Sequence, residues 1–339
     1  MSGETVLVTG GSGYIGGWCV AGLLQQGYVV RTTLRDLAKE AAVRAALGKI
    51  TDPGNRLSFH AANLTADAGW DEAVAGCDYV LHVASPLGVA DPKDPNDLIV
   101  PAREGAKRAV SAAIRAGVKR VVLTSSVAAT SKGVAGSWTS DETHWTDPAA
   151  PKVSAYAQSK TLAERAAWDL INSSDGKTTM ATVNPALVLG PVTSRDFSES
   201  VQVVERLLSG RVPGIPRLGF NIVDVRDVAS LHIAAMTDPK AAGERFIAAG
   251  QYAWMGEIAD ILRARLGDKA AKVPTRKVPD FVIRLAGLFD KDLGSVAPSL
   301  GHRHDNSSEK AQRMLGWKPR PIEQTVVDCA ESLIAVGAV

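Results

Sequence analysis

Residues Thr5 to Gly16 constrain what this chain can fold into more than any other stretch. Thr5-Val6-Leu7-Val8-Thr9 is a short β-branched run and reads as a strand. Tyr14 to Gln26 reads as a helix closed by Gly27. Between them Gly10, Gly13 and Gly16 fall at the spacing GxxGxxG. Glycine permits the tight turn, lets backbone approach a diphosphate, and lets the helix pack closely on the strand. The free N–H groups and positive dipole end of the helix then face the phosphates. In this context the turn implies a dinucleotide site formed by Gly10, Ser12, Gly13 and Gly16.

The rhythm set by that unit continues through the first half of the chain. Val29 to Leu34, Leu57 to His60, Tyr79 to Val83, Arg120 to Thr124 and Thr179 to Asn184 read as strands. Leu37 to Leu47, Leu98 to Ala116 and Tyr156 to Ile171 read as the helices between them. Such alternation predicts an α/β fold with a doubly wound parallel sheet covered on both faces. After Pro185 the rhythm changes. Ile222 to Val225 reads as a strand, Asp227 as the cap of a helix over Val228 to Met236, and Gly243 to Ala248 as a returning strand. Beyond Met255 the pattern is mostly helical, with loops at Pro274 to Pro279 and Ser295 to Asn306. The expected organisation is a dinucleotide-binding domain over 1–184 plus 222–250. A smaller, mostly helical substrate lobe is expected over 185–221 plus 251–339.

Charge and cysteine usage narrow the function classes. The net charge is +2, from 38 basic and 36 acidic residues, with no strongly basic patch. Nucleic acid is therefore not an expected partner. Cys19, Cys77 and Cys329 are odd in number and widely spaced, so neither a disulfide framework nor a zinc site is indicated. No apolar run approaches the about 20 residues that span a bilayer, and the chain starts directly on a strand. A cytoplasmic protein without membrane partners is expected.

The residue after the second strand bears on the nucleotide. An acidic side chain there accepts from a ribose 2′-hydroxyl. This chain has Leu34-Arg35-Asp36. Arg35, with Lys39 a turn later, suits a 2′-phosphate instead. Asp36 is either a counter-signal or a cap for the next helix. The expected cofactor is NADP(H).

Tyr156-Ala-Gln-Ser-Lys160 carries the chemistry. Residues four apart share a helix face, so phenol and ammonium can share a pocket. A neighbouring Lys charge favours a phenolate, whose unperturbed pKa is about 10. That pairing suits proton transfer near neutral pH. Upstream, Ser125-Ser126 ends an apolar run.

Together Gly10-x-x-Gly13-x-x-Gly16, Ser126 and Tyr156-x-x-x-Lys160 resemble the extended short-chain dehydrogenases/reductases. His82-Val83-Ala84-Ser85-Pro86, the stretch from Thr161 to Trp168, and the stretch from Asn184 to Pro191 are similar to dihydroflavonol 4-reductases and microbial aldehyde and ketone reductases. The resemblance implies that Tyr156 protonates the carbonyl oxygen as hydride arrives from the nicotinamide. It implies that Lys160 bonds the nicotinamide ribose and that Ser126, rather than Ser125, orients the substrate oxygen. It implies a cofactor wall of Tyr14, Ile15, Arg35, Asn63, Leu64, Val83, Ala84, Ser85, Thr124, Pro185 and Val188. A small-molecule carbonyl is the expected partner, bound by a monomer or homodimer and lined by Pro86–Ala90, Ala128–Trp145 and Thr193–Phe220.

Departures from that pattern sharpen the expectation. Asn63-Leu64 replaces the common Asp-Leu, although an Asn carbonyl can still accept from an adenine amino group. Thr130 stands where flavonoid reductases often carry Asn. The tyrosine motif lacks the signature of cinnamoyl-CoA reductases, which disfavours thioester reduction. An NAD-retaining nucleotide-sugar epimerase or dehydratase of the same fold is the alternative, and an inert NADP-sensing regulator a third. His302-Arg303-His304-Asp305 reads as a solvated loop rather than a metal site. His144 reads as packing. Ser126 with His82 and Asp141 lacks the Gly-x-Ser-x-Gly elbow of a hydrolase.

Overall fold

A computed structural model describes residues 3–86, 92–134, 136–151, 153–289, 294 and 296–339. The chain runs β1 (Thr5–Thr9), α1 (Tyr14–Gln25), β2 (Val29–Leu34), α2 (Glu40–Gly48), β3 (Leu57–Ala61), α3 (Trp70–Val74), β4 (Tyr79–His82), α4 (Asn96–Ala116) and β5 (Arg120–Thr124). It continues through β6 (Trp138–Ser140), α5 (Ala155–Asn172), β7 (Thr179–Pro185), β8 (Leu187–Leu189), α6 (Gln202–Leu208), β9 (Gly219–Asp224), α7 (Val225–Thr237) and β10 (Arg245–Ala248). The last part holds β11 (Tyr252–Trp254), α8 (Met255–Leu266), α9 (Asp280–Ala286), β12 (His304–Asn306), α10 (Glu309–Leu315) and α11 (Ile322–Ala335).

Seven strands form one parallel sheet in the order β10-β7-β5-β4-β1-β2-β3. Side chains alternate between its faces because successive Cβ atoms of a strand point oppositely. Val6, Val8, Leu81, Val122 and Ala181 enter one core, with α1 and α7. Leu7, Val80, Val121, Leu123 and Met180 enter the other, with α3, α4 and α5. Both faces are covered, so the central strands β1, β4, β5 and β7 are mostly apolar, as buried parallel strands require. Strand order reverses between β1 and β4, and ligands of such sheets bind at the carboxyl ends beside that reversal.

The smaller region has its own core around α6, α8 and α11. It adds two short sheets to these helices, β11-β9-β8 and β12-β6. The stretch 222–250 is divided between the two parts. Most of β9 pairs with β8 and β11, whereas α7 packs on α1 and β10 lies beside β7.

Two local expectations are corrected. Asp224, not Asp227, caps α7: its carboxylate accepts from the Arg226 N–H at 2.9 Å. The helix starts earlier because Val225 is fully buried and belongs to its inner face. Asp227 instead receives Arg320 from the C-terminal segment. The second correction is at His304–Asn306, which is a strand rather than a solvated loop. It pairs in parallel with β6, and the His304 ring stacks on Trp138 at 4.7 Å.

Candidate active site

The glycine turn follows β1 at the reversal point. Gly10 has φ +71°, and a Cβ there would stand 3.0 Å from the Ala84 backbone. A Cβ on Gly16 would come within 2.2 Å of the Gly10 carbonyl oxygen. These contacts explain why the turn is made of glycine. Thr32 and Thr33 of β2 hold it from below, their hydroxyls accepting from Gly11 and Gly10 N–H at 3.0 and 3.1 Å. Gly13 caps α1 with no side-chain acceptor, and Ser12 and Gly13 are exposed. The first N–H groups of α1 therefore face outward, the donor set that a diphosphate needs.

The other nominated residues follow the carboxyl ends of neighbouring strands. Arg35 follows β2 and Lys39 lies a turn beyond it; both are exposed. Among the described residues Arg35 makes no ion pair. Asp36 caps the turn Leu37–Lys39, accepting from the Ala38 N–H at 2.9 Å. Asn63 and Leu64 follow β3. The Asn63 side-chain oxygen is turned to its own chain, accepting from the Thr65 N–H and hydroxyl at 3.1 Å. Val83, Ala84 and Ser85 follow β4, and the Thr9 hydroxyl oxygen accepts from Val83 and Ala84 N–H. Ile15 is half-buried. Tyr14 spends its hydroxyl on the Gly190 carbonyl at 2.8 Å, and Trp18 donates to Pro191. α1 thereby grips the segment that carries Pro185 and Val188, both buried.

Ser126 follows β5, and Tyr156 and Lys160 come from α5. Ser154 caps α5 by accepting from the Ala157 N–H, so Tyr156 and Lys160 sit in the first two turns. Lys160 is 8% exposed and donates to the Ser85 hydroxyl at 2.9 Å. Its ammonium lies 5.8 Å from the Tyr156 ring centre. Ser126 accepts from the Ala128 N–H at 3.1 Å, which leaves its hydroxyl proton to donate elsewhere. Ser125 instead donates to Glu164 at 2.5 Å, deep in the protein. A cavity of about 20 Å³ lies behind this group, with His82, Ser85, Ser125, Lys160 and Glu164 in its wall.

Two buried histidines were not read from the sequence as structural parts. His82 Nδ1 meets the Thr9 hydroxyl at 2.9 Å. Because Thr9 already accepts two N–H bonds, its proton goes to Nδ1, and His82 carries its own on Nε2. Burial, with the Lys160 charge second, pushes its pKa down to about 4. His232 donates from Nδ1 to the Val228 carbonyl and accepts the Thr124 hydroxyl at Nε2. Burial pushes it down to about 4 as well. His82 bonds Thr9 and His144 bonds Asp141, so Ser126, His82 and Asp141 form no relay.

The expected substrate lining is only partly within view. Of Pro86–Ala90, all but Pro86 lie outside the described residues. A second cavity, of about 720 Å³, takes Ile215, Pro216 and Arg217 from the nominated stretch. Its other walls, among them Trp254, Val278 and Phe281, were not nominated. Among the described residues no three His, Cys, Asp or Glu side chains gather as for a metal ion. No described helix is long and apolar enough to cross a membrane.

A glycine turn at the reversal point of a parallel sheet, facing a Tyr/Lys helix, defines a dinucleotide-fold oxidoreductase of the short-chain type. Residues 6–249 match the NAD dependent epimerase/dehydratase family. Cinnamoyl-CoA reductase CAD2 of Medicago truncatula is 35% identical over 338 residues, covering 98% of this chain and 96% of its own. Dihydroflavonol 4-reductase of Gerbera hybrida is 34% identical over 271 residues, covering 77% and 72%. The structure of yeast methylglyoxal/isovaleraldehyde reductase Gre2 complexed with NADPH matches with a TM-score of 0.81 at 27% identity, covering 99% of this chain and 100% of that one. The chain belongs to the NAD dependent epimerase/dehydratase family, the extended short-chain dehydrogenases/reductases. Within it the chain is an NAD(P)-dependent reductase of the dihydroflavonol 4-reductase, cinnamoyl-CoA reductase and Gre2 type.

Proposed function

We propose that this protein reduces an aldehyde or ketone to an alcohol with NADPH, using Tyr156 as the proton donor. What carries this reading is the convergence of Ser126, Tyr156 and Lys160 at the carboxyl edge, beside the glycine turn. The cradle fits the cofactor: glycines where a Cβ would clash, and outward N–H groups on α1. When bound, NADPH supplies the hydride. The chain's own groups do the rest. Tyr156 gives its phenolic proton to the substrate oxygen. Ser126 donates its remaining hydroxyl proton to the same oxygen, so that developing negative charge meets two donors. Lys160, fixed by Ser85, keeps a positive charge beside the phenol. Holding the reacting carbon close contributes the rest of the rate gain.

The substrate class is narrowed by two positions. Thr130 is fully buried and its hydroxyl donates to the Val127 carbonyl, so it offers nothing to a flavonoid. Tyr156-Ala-Gln-Ser-Lys160 lacks the thioester-reductase signature, which favours a free carbonyl over a thioester. The test is NADPH oxidation across aryl ketones, β-keto esters, aldehydes and flavanonols. Turnover of a ketone or aldehyde is expected. Tightly retained NAD with no NADPH turnover would instead favour the epimerase alternative.

Arg35 supplies the preference for NADP(H). It is an exposed cation without an ion-pair partner among the described residues, at the end of β2. Arg35→Asp is expected to raise the NADPH Kd by roughly 10- to 100-fold, as loss of a charge-assisted phosphate contact implies. NADH binding should change by less than about threefold on the same scale. An equal effect on both nucleotides in fluorescence titrations would refute the 2′-phosphate role.

A further inference from the structure

We propose that Glu164, paired with Arg245, is a positioning residue that holds Ser126 in register with Tyr156 and Lys160. The inference rests on the reductase reading for its catalytic arm. Glu164 follows Lys160 by four residues and Tyr156 by eight, so all three share one face of α5. Its side chain is completely buried. A buried carboxylate demands donors, and this one has them from five residues, the longest bond being that of Trp168 Nε1 at 3.4 Å. Oε2 accepts from the Ser125 hydroxyl at 2.5 Å and from Asn184 Nδ2 at 2.9 Å. Oε1 accepts from Arg245 Nε at 2.6 Å, with the Thr182 hydroxyl at 3.2 Å.

Two of these partners lead to the reaction centre. Asn184 Nδ2 also donates to the Ser126 carbonyl at 3.1 Å, so it bridges Glu164 to the Ser126 backbone. Arg245 donates to the Glu142 and His144 carbonyls at 2.7 and 2.8 Å. Its guanidinium lies 3.7 Å from the centre of the Trp145 ring. Glu142, His144 and Trp145 belong to the loop that joins Ser126 to Tyr156. One ion pair thus references the end of β5, that loop, β7 and β10 to the helix carrying Tyr156. Stability alone is a poor reason for such a pair, because well-packed apolar substitutes are often as stable. A fixed distance between Ser126 and Tyr156 is a function that apolar substitutes would not reproduce, since proton donors must be held within a fraction of an ångström.

The test compares three variants with wild type. Glu164→Gln removes the charge, Glu164→Gln with Arg245→Met removes both charges, and Asn184→Ala cuts the bridge to Ser126, together with a contact to the Thr182 hydroxyl, while keeping the ion pair. Each is examined below its thermal midpoint, with NADPH saturating. All three are expected to lose kcat on the order of 10²-fold, with substrate KM and NADPH Kd within about threefold. Amide exchange over 125–131 should rise in all three, and over 141–146 in the two Glu164 variants. A purely structural role predicts that the double variant, with no lone buried charge, recovers wild-type kcat and exchange. That recovery, or an unchanged kcat in Asn184→Ala, would overturn the proposal. If wild type turns over no carbonyl, the reductase reading falls by itself. Exchange then decides, and protection unchanged in the Glu164 variants sinks the positioning role. If neither Glu164 variant folds, Asn184→Ala decides in the same way.

Discussion

Tyr156→Phe is expected to lower kcat/KM by about 10³-fold, within the range for loss of a positioned general acid. NADPH affinity should stay within about threefold of wild type, because the phenol contributes little binding that is common to ground and transition states. The variant is a clean one. Tyr156 is half-buried, and its hydroxyl makes no hydrogen bond among the described residues, so removing one oxygen should cost little stability. Ser126→Ala should lose less than Tyr156→Phe, since a donor remains at the substrate oxygen. The measurement is steady-state turnover of whichever carbonyl the panel identifies, alongside a fluorescence titration of NADPH. Turnover by Tyr156→Phe near the wild-type rate would remove Tyr156 from the mechanism, and with it the proposed direction of proton transfer.

Much of this site was legible because its signals are local. The glycine spacing, the strand before it and the helix after it lie within a dozen residues, and each element's pattern agrees with the others. Tyr156 and Lys160 are one helical turn apart. Ser126 was separable from Ser125 only by resemblance. The geometry adds a physical reason, since the Ser125 hydroxyl already donates its hydrogen bond to Glu164. What escaped were pairings between distant segments. β6 and β12 are three-residue strands far apart in sequence, polar at every position but Trp138, and no periodicity announces them. Glu164 and Arg245 are 81 residues apart. One signal for Glu164 was available: an acid two turns after Tyr156, on the helix face that packs inward. Asp227 reads as a cap because it immediately precedes the apolar pattern that begins at Val228. The burial of Val225 and the Arg226 N–H bond to Asp224 are tertiary facts that this pattern does not carry.

The two buried histidines are expected to make folding stability fall in mild acid. His82 and His232 each have an ordinary pKa of 6.5 and are pushed down to about 4 in the folded protein. Between those values the unfolded chain binds protons that the folded chain refuses. Stability therefore declines as pH falls from about 6.5 towards 4. At pH 5 each histidine accounts for about 2 kcal/mol, at about 1.4 kcal/mol per pKa unit. Together they approach half of a typical domain's stability of about 5–15 kcal/mol. Glu142 and Asp227 work in the opposite sense, because burial raises their carboxyls and the folded state then binds the extra protons. A histidine variant isolates the effect. His232→Gln should lower stability at neutral pH, since the Thr124 hydroxyl and the Val228 carbonyl lose well-placed partners. It should also remove about half of the decline between pH 6.5 and 4.5, read as urea midpoints along a pH series. His82 sits behind the glycine turn, between Thr9 and the Lys160 charge, so its protonation would release the strand end that orders Val83 and Ala84. A pH slope of the urea midpoint that is the same in wild type and His232→Gln would show that this ring is not held neutral.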